Sequence, residues 1–374
     1  MSRTQLPLRS LACAAALSAL ALGAMAGTAQ AAGVDDAKSM IKGFTSLPTA
    51  FSPPNAPFDA KACVGGKKLL TIPVSSANPF TKNIATAMVE AGKEVGLEVV
   101  EWENQARPTQ WVQGIDYAIN NGFDAIDLLG GVNPAVLGPQ IKAAKAAGLK
   151  VFTSHFYDTT QDPDPALDGA SRIPFHKAGE IMANWAIAQT DGKVNAIIIG
   201  SDEIVPTAPF VEGIKKTLAA NCPDCKYTYV NAPVPEWSTK IQSSVQSGLI
   251  SDPTVNYILP IYDSMSQFVI PAIKITGKTG QVKVATFNGT PFVIDAIQKG
   301  EVEMDIGESL GWIARAILDN EMRHLCGQKA SDMLYVPFYL FTEANAKDAG
   351  TPADYDRGYG DMHVGGYRKL WGVE

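Results

Sequence analysis

Short apolar runs alternate with amphipathic segments along most of the chain. Ten runs have the length and composition of strands: 68–75, 97–102, 123–129, 149–153, 194–199, 226–231, 255–259, 282–287, 302–306 and 334–341. Helical spacing of apolar residues fills the intervals between most of them, as in Ile84, Met88 and Val95. Continuous apolar strands that alternate with amphipathic helices are typical of parallel sheets covered on both faces. The pattern therefore predicts an α/β fold built on doubly wound parallel sheets.

A segment rich in Asp and Pro, residues 158–174, interrupts this alternation. Four of the predicted strands precede it and six follow it, which suggests two doubly wound lobes rather than one large sheet. In doubly wound sheets, ligands bind outside the carboxyl ends of the strands. Candidate site residues are therefore expected directly after each strand.

The first thirty or so residues have the organisation of a secretory signal. Arg3 and Arg9 form a basic start, residues 11–25 are apolar and uncharged, and Ala29-Gln30-Ala31 has the small-x-small pattern of a cleavage site. These features predict a signal peptide over residues 1–32 and a mature protein in the periplasm. The apolar run is too short for a permanent membrane span. Residues 33–66, rich in Pro, Gly and Ser, are predicted to be an extended lead-in.

The charge of the mature chain excludes some classes of partner. Cleavage removes two arginines and no acidic residue, so the formal net charge changes from −7 to −9. Nucleic acids and anionic membrane surfaces require a basic patch, and neither is an expected partner. No later stretch is long and apolar enough to cross a membrane.

Four cysteines remain after cleavage: Cys63, Cys222, Cys225 and Cys326. An even number in an oxidising compartment suggests disulfides. Cys222-Pro-Asp-Cys225 lacks the second cysteine pair or histidine pair of a zinc site, so no metal is predicted. Its position in a predicted helix-to-strand loop favours a structural disulfide, with redox chemistry as the alternative. Cys63 and Cys326 are then left to pair with each other.

One pattern indicates an enzyme. Residues 307–311 match the G-x-S-x-G nucleophile elbow around Ser309, and Asp354 and His363 follow in the order of a hydrolase triad. Only about sixty residues follow Ser309, too few for the remaining strands and loops of a hydrolase, so this stays a weak alternative. Gly277-Lys278-Thr279 lacks the first glycine of a phosphate-binding loop, and no G-x-G-x-x-G occurs. No cofactor is therefore predicted.

The residues that follow the strands combine aromatic rings with short polar and acidic groups. The candidate ligand-binding set is Ser76, Asn78, Phe80, His155, Phe156, His176, Phe210, Trp237, Tyr262, Asp263, Asn288 and Glu308. Flat rings offer apolar stacking area, and Asn, Asp, Glu and His orient hydroxyls or amines through directional hydrogen bonds. Each residue alone is also consistent with a turn, a helix cap or an ordinary histidine. Their recurrence at the same end of many strands favours a binding site, and no nucleophile–base pair is evident among them.

Six stretches between residues 67 and 347 carry a family resemblance. They are NPFTKNIATAMVEAGKEVGLEV, GFDAIDLLG, IKAAKAAGLKVFTSH, KAGEIMANW, IYDSMSQFVIPAI and VATFNGTPFVIDAIQKGEVEMDIGE. Together they resemble the periplasmic substrate-binding proteins of sugar ABC importers, in the ribose- and galactose-binding branch. The resemblance implies the type I fold, with two lobes that close on a ligand and three crossings near residues 173–177, 307–310 and 330–335.

The resemblance also implies a division of the chain and a role. The N-terminal lobe would comprise residues 67–175 and 309–330, the C-terminal lobe residues 176–308 and 331–345, and residues 346–374 would form a tail. Cys63 and Cys326 would then both belong to the N-terminal lobe, which agrees with their pairing. The implied protein is a monomer without enzymatic activity that delivers a solute to an ABC permease in the inner membrane. A sensor that presents its ligand to a membrane receptor is the alternative.

Some site positions match the resembling family and others depart from it. Phe80 and Trp237 match its ring-stacking aromatics, and Asp263 matches its acidic residue after the seventh strand. The departures are His155-Phe156 in place of Asp-Arg or Asn, Phe210 near an Arg, Tyr262 for Asn, Asn288 for Asp and Glu308 for Gln. The Arg that would grip sugar hydroxyls is therefore missing, while aromatic area has increased. The expected solute is a sugar or a sugar-like compound with a ring or apolar face, and an amine facing Glu308 or Asp263 fits as well.

Overall fold

The computed structural model describes residues 31–53 and 55–373. The predicted signal peptide, residues 1–32, lies outside this part of the chain except for its last two residues. Within the described part, no helix has both the length and the apolar character needed to cross a membrane.

The first sheet contains five parallel strands in the order β2-β1-β3-β4-β5. Their bounds are β1 (Lys68–Pro73), β2 (Glu98–Glu101), β3 (Ala125–Leu129), β4 (Lys150–Asp158) and β5 (Gly169–Ile173). One face packs against α3 (Pro79–Val95) and α11 (Leu310–Leu325), and the other against α4 (Pro108–Asn120) and α5 (Gly138–Ala146). The part built on this sheet is called the N-terminal lobe below.

The second sheet contains six strands in the order β11-β10-β9-β8-β6-β7. Their bounds are β6 (Asn195–Gly200), β7 (Lys226–Asn231), β8 (Tyr257–Pro260), β9 (Lys283–Asn288), β10 (Met304–Gly307) and β11 (Tyr339–Thr342). Helices α6 (Phe175–Gln189) and α7 (Thr207–Asn221) cover one face, whereas α8 (Trp237–Ser251), α9 (Ser266–Ile275) and α10 (Pro291–Gln298) cover the other. This part is called the C-terminal lobe.

The predicted fold class is confirmed, because two α/β lobes are each built on a parallel sheet covered by helices. The described residues contain eleven strands rather than the ten predicted. Strand β5 lies inside the segment predicted as a loop; its sequence GASRI has no apolar run that would reveal it. Strand β11 starts at Tyr339 rather than at residue 334 and runs antiparallel to β10.

The predicted extended lead-in is wrong for part of residues 33–66. Residues 31–42 form a helix, α1, and a second short helix, α2, spans Ala60–Val64. Val34, Ala37 and Ile41 recur at helical spacing and are buried. That spacing stabilises a helix against the rest of the protein, although the surrounding composition is typical of a loop.

The chain passes between the lobes three times within its central part. It leaves the N-terminal lobe after β5 and enters α6, returns between β10 and α11, and crosses again between α11 and β11. At the first of these crossings, the buried Asp158 accepts hydrogen bonds from the backbone N–H and the ring of His176. Burial alone would raise the pKa of Asp158, but hydrogen bonds from Thr160 and His176 outweigh it and lower that pKa.

The N-terminal segment forms a further connection between the lobes. Lys38 in α1 pairs with Asp191 of the C-terminal lobe at 3.0 Å, and the Phe44 carbonyl accepts from the backbone N–H of Leu340. A few residues later, Asn55 donates to Asp319 on α11 of the N-terminal lobe at 2.7 Å.

The C-terminal tail also connects the lobes. Along the chain it contacts the C-terminal lobe first and then the N-terminal lobe. The backbone N–H of Ala353 donates to Asp295 on α10 at 2.8 Å, and Tyr355 then donates to Glu90 on α3 at 2.7 Å. The following helix α12 (Met362–Leu370) packs on α11, and Trp371 donates to Asp319 at 3.0 Å. Within the described residues, five segments therefore join the two lobes.

Both predicted disulfides are present. Cys63 in α2 is bonded to Cys326, directly after α11, so this bond lies within the N-terminal lobe. Cys222 is bonded to Cys225 and closes the short loop between α7 and β7.

Two glycines allow helices α6 and α7 to approach closely. A Cβ atom on Gly179 would lie 2.2 Å from the Phe210 carbonyl oxygen, and one on Gly213 would lie 2.3 Å from the His176 carbonyl oxygen. Both contacts are with backbone atoms, which cannot move aside as a flexible side chain can.

We expect Gly179→Ala to lower the free energy of unfolding by about 1–3 kcal/mol, because the two helices must separate to admit the methyl group. Gly365→Ala is the matched control, since a Cβ atom on Gly365 in α12 would meet no neighbouring residue within 4 Å. That control should be neutral or stabilising by up to about 1 kcal/mol through helix propensity. Urea denaturation measures both variants, and equal midpoints would contradict the close-packing argument.

Candidate functional site

A cavity lies between the carboxyl ends of the two sheets. It is lined by Val74, Asn78, Phe80, Thr81, Gly130, His155, Phe175, Ile204, Pro206, Val234, Trp237, Tyr262 and Asn288, which come from both lobes. Its volume of about 30 Å³ has room for no more than a few water molecules. Small-molecule sites are about ten times larger or more, so the cavity in this structure is too small for a compound of sugar size.

The N-terminal lobe contributes Phe80 from the first turn of α3. The preceding Asn78 caps this helix, because its side-chain oxygen accepts a hydrogen bond from the Phe80 backbone N–H at 2.9 Å. Pro79 occupies the first helical position, where its fixed φ suits the start of a helix. The Phe80 ring is thereby held at the cavity wall and is 4 % exposed.

The C-terminal lobe contributes two rings from the other side. Trp237, at the start of α8, stacks on Tyr262 with ring centroids 6.5 Å apart. The Trp237 indole N–H donates to Ser201 at 2.9 Å, and the Tyr262 hydroxyl bonds with Thr207 at 3.0 Å. Their polar ends are therefore fixed by the protein, which leaves the apolar faces for a ligand.

His155 lies at the base of the cavity on a bulge in β4. Its φ of 51° is in the left-handed region, and the pairing of β4 with β5 shifts register between Ser154 and Asp158. The ring packs edge-on against Phe80 at 4.8 Å and Phe175 at 5.2 Å. His155 Nε2 donates to Glu308 Oε2 at 2.8 Å, which links the N-terminal lobe to the crossing that follows β10.

Three fully buried carboxyl groups lie beneath the cavity on the C-terminal side. Burial raises the pKa of Glu308, and the pairing with His155 opposes this effect. Burial also raises the pKa of Asp263 to about 7, although the hydrogen bonds that it accepts from Thr290 act to lower it. The pKa of Asp305 is raised well above its usual range by burial and by the neighbouring Asp263 carboxylate.

Several acceptor oxygens at this end of the sheet have no hydrogen-bond partner. They are Glu308 Oε1, Asp305 Oδ1 and Asn288 Oδ1, all buried. Among these residues, Asn288 has a φ of 143° and lines the cavity. No lysine or arginine is among the cavity-lining residues described above. Within residues 31–53 and 55–373, no group of three or more potential ligands is placed to hold a metal ion.

The structure brings half of the twelve predicted ligand-binding residues together at the cavity wall. These are Asn78, Phe80, His155, Trp237, Tyr262 and Asn288. Asp263 and Glu308 lie behind the wall, where Asp263 accepts from the Thr290 N–H at 2.7 Å and Glu308 pairs with His155.

The other four predicted residues are placed away from the wall. Ser76 accepts a hydrogen bond from the Asn104 N–H at 3.1 Å. Phe156 is buried against Tyr157 in a small separate cluster, since it follows the bulge at His155. Phe210 packs in the interior against Phe287 at 5.5 Å, and His176 is engaged with Asp158.

Sequence reasoning missed part of the wall. The missed residues are Val74, Thr81, Gly130, Phe175, Ile204, Pro206 and Val234, most of which are apolar. It also missed the buried Asp305, although a carboxylate inside the apolar strand sequence MDIG was a usable signal.

The side chains around Ser309 do not form a hydrolase triad. Ser309 is 1 % exposed, caps α11 by accepting from the Trp312 N–H at 3.0 Å, and donates to Asp356. His363 Nε2 bonds with the same Asp356 carboxylate at 3.1 Å, so the carboxylate lies between the serine and the histidine. The predicted Asp354 instead accepts from the Asp356 backbone N–H at 3.0 Å. A triad requires the histidine to contact the serine, which is not the case here.

Comparison with protein families gives one match. A family model described as a periplasmic binding protein domain matches residues 69–329. No curated protein sequence matches the chain.

Solved structures with the same fold include sugar-transporter subunits. An ABC sugar transporter subunit from Rhodobacter sphaeroides has a TM-score of 0.66 and 19 % identity, covering 75 % of this chain and 100 % of that chain. A Caulobacter myo-inositol binding protein bound to myo-inositol has a TM-score of 0.66 and 18 % identity, covering 76 % and 96 %. A 5-methylthioribose transporter solute-binding protein from Thermotoga lettingae has a TM-score of 0.65 and 18 % identity, covering 74 % and 87 %. At these identities the likeness shows the fold alone.

We expect Asp263 to make the protein less stable as pH rises from about 4 to about 7. The folded protein keeps the Asp263 proton up to about pH 7, whereas the unfolded chain loses it near 3.8, so the folded state binds more protons in this range. The titration of Asp263 should therefore lower the free energy of unfolding by up to about 4 kcal/mol over this pH range.

Urea denaturation between pH 4 and pH 8 measures this slope. Asp263→Asn should flatten it, because the amide cannot ionise, whereas Asp116→Asn on the exposed face of α4 should leave it unchanged. Parallel pH profiles for the parent protein and Asp263→Asn would show that Asp263 does not titrate in this way.

Proposed function

The chain belongs to the periplasmic binding protein family, and from that membership we propose that it captures a small solute between its lobes and delivers it to an ABC importer. Solute binding is the function of this family, and its members work in the periplasm. The observation that supports the proposal best is the cavity between the two sheets, because both lobes contribute rings and polar groups to one wall. A signal peptide over residues 1–32 would export the chain, which would then act as a monomer.

The proposed mechanism is hinge closure around the solute. Three hydrogen bonds already join the lobes around the cavity: Ser264 to Asn78 at 3.1 Å, Gln161 to the Val205 carbonyl at 3.3 Å, and His155 to Glu308. A solute that contacts both walls would favour the closed state through its differential affinity for that state. The closed lobe surfaces would then dock on the permease.

The proposed solute is a sugar or a sugar-like compound with a ring or an apolar face. Phe80 and Trp237 offer flat faces from opposite lobes, and Asn78 and Asn288 offer hydrogen bonds at the wall. The similar proteins of known structure, with bound myo-inositol or 5-methylthioribose, illustrate solutes of this size. The apolar character of the present wall favours a solute that buries more apolar surface than a simple hexose does.

We expect Phe80→Ala and Trp237→Ala each to weaken solute binding by about tenfold or more, because each ring buries apolar area against the solute. Thermal-shift screening of the mature protein against sugars, polyols, nucleosides and small aromatic compounds first identifies a binder. Titration of that compound then measures the variants. Tyr227→Ala is the control, since Tyr227 lies 41 % exposed in the strand sequence of β7 and outside the cavity wall.

Uptake of the identified solute by cells that lack the protein tests the importer role. Lost uptake that returns with the parent gene supports delivery to a permease. Unchanged uptake would contradict delivery and would leave a sensor as the better description. Unchanged binding in both aromatic variants would place the site elsewhere.

We also propose that the protein has no hydrolytic activity. The Ser309 hydroxyl is engaged with Asp356 and has no histidine within hydrogen-bonding contact. Incubation with p-nitrophenyl esters should release no more p-nitrophenol than Ser309→Ala does under the same conditions. Ester hydrolysis that disappears in Ser309→Ala would contradict the binding role.

A further inference from the structure

We propose that the solute is an organic cation, with a protonated amine or a quaternary ammonium group attached to a ring or another apolar body. This inference rests on the proposed function and specifies the charge of the solute that the cavity accepts. Three observations support it: the acidic groups near the cavity outnumber the basic ones, several buried acceptor oxygens have no hydrogen-bond donor, and aromatic rings line the cavity.

The titratable groups behind the cavity wall are predominantly acidic. Asp263, Asp305 and Glu308 are each fully buried beneath the wall, and none of them contacts a lysine or an arginine within the described residues. His155 is the one basic side chain in the wall, and it pairs with Glu308 alone. Even a protonated His155 could balance no more than one of the three carboxyl groups. A buried carboxyl group without a counter-charge tends to keep its proton, and a cationic solute would favour the ionised form by supplying that charge.

The unpartnered oxygens match the donors of an ammonium group. Glu308 Oε1, Asp305 Oδ1 and Asn288 Oδ1 are buried acceptors without a donor; Asn288 lines the cavity, whereas Glu308 and Asp305 lie behind its wall. A protonated amine carries up to three N–H donors and no acceptor, so it can satisfy several acceptors at once. A neutral hydroxyl supplies one donor and brings no charge, so it would not favour ionisation of the three carboxyl groups.

The aromatic wall favours a cation for an independent reason. Phe80, Phe175, Trp237 and Tyr262 surround the cavity, and the face of an aromatic ring attracts a cation through its quadrupole. The attraction is larger when the cation is removed from water, as it would be in a cavity closed by both lobes. The same rings would also cover the apolar body of the solute.

Matched pairs of compounds test the charge preference directly. Benzylamine is compared with benzyl alcohol, cyclohexylamine with cyclohexanol, and glucosamine with glucose, and benzyltrimethylammonium represents a fixed charge. Thermal shifts and titration calorimetry on the mature protein give the affinities. The cationic member of at least one pair should bind ten times more tightly than its neutral partner, or better. Equal affinities, tighter binding of the neutral members, or no response to any cation would overturn the proposal.

These results also separate this inference from the proposed function. Tight binding of glucose or another neutral polyol, together with uptake that requires the protein, would keep the solute-binding role and reject the cation. If uptake does not require the protein but the protein still binds amines selectively, delivery to the importer would be rejected and the inference of a cationic solute would stand.

Two substitutions alter the charge without a large change of shape. Glu308→Gln should reduce the affinity for the best cationic probe by about tenfold or more and leave its neutral partner nearly unchanged, because only the charge is lost. Asn288→Asp should have the opposite effect and increase the preference for the cation, which provides a test if Glu308→Gln does not fold. Glu98→Gln, exposed at the start of β2, is the control for a general change of surface charge. A similar loss of both probes in Glu308→Gln, with no gain in Asn288→Asp, would contradict the proposal.

Discussion

The structure depends on one geometric constraint: two sheets, parallel except for the edge strand β11, face each other with their carboxyl ends. In a parallel sheet every strand ends at the same edge, so the residues that follow the strands are brought together. With two such edges opposed, side chains as distant in sequence as Phe80 and Trp237 line one small cavity. The same constraint keeps Asp263 and Glu308 away from solvent beyond the ends of β8 and β10, next to Asp305 inside β10. The three acidic groups therefore come from two strands and the residues that follow them, and not from a single loop.

The two chain termini add a second constraint on the relation between the lobes. Asp319 on α11 accepts hydrogen bonds from Asn55 of the N-terminal segment and from Trp371 of the tail, and it pairs with Arg323 at 3.0 Å. This ion pair is buried, with both side chains at most 3 % exposed, and Arg323 also donates to the Ala56 carbonyl. Both terminal connections are thus attached to one point in the N-terminal lobe. Any hinge motion must therefore also bend or displace these two terminal segments, and not only the three central crossings.

The sequence predicted the parts of the fold that depend on local apolar patterns, and it failed where tertiary contacts decide. Strand β5 was missed because GASRI is held at the sheet edge by its pairing with β4 and not by its own composition. Helix α1 was missed because the Pro-, Gly- and Ser-rich composition of residues 33–66 is typical of a loop and obscures the helical spacing of Val34 and Ala37. At the site, the position after each strand correctly located Phe80 and Trp237 at one wall. The bulge at His155 directs Phe156 elsewhere, and no sequence pattern reveals such a bulge.

Ser309 and His155 show why a local pattern is insufficient to assign chemistry. The G-x-S-x-G sequence places Ser309 between a strand and a helix, yet the tail provides Asp356 as its partner and separates it from His363. His155, in contrast, has no motif, but the fold places it against Glu308 in a site with no other basic side chain in the wall. In this structure the lobes are joined by hydrogen bonds between protein groups, such as the one from Ser264 to Asn78. A solute that enters between these two residues has to replace that hydrogen bond. Its affinity is therefore the difference between its own contacts and those that it displaces.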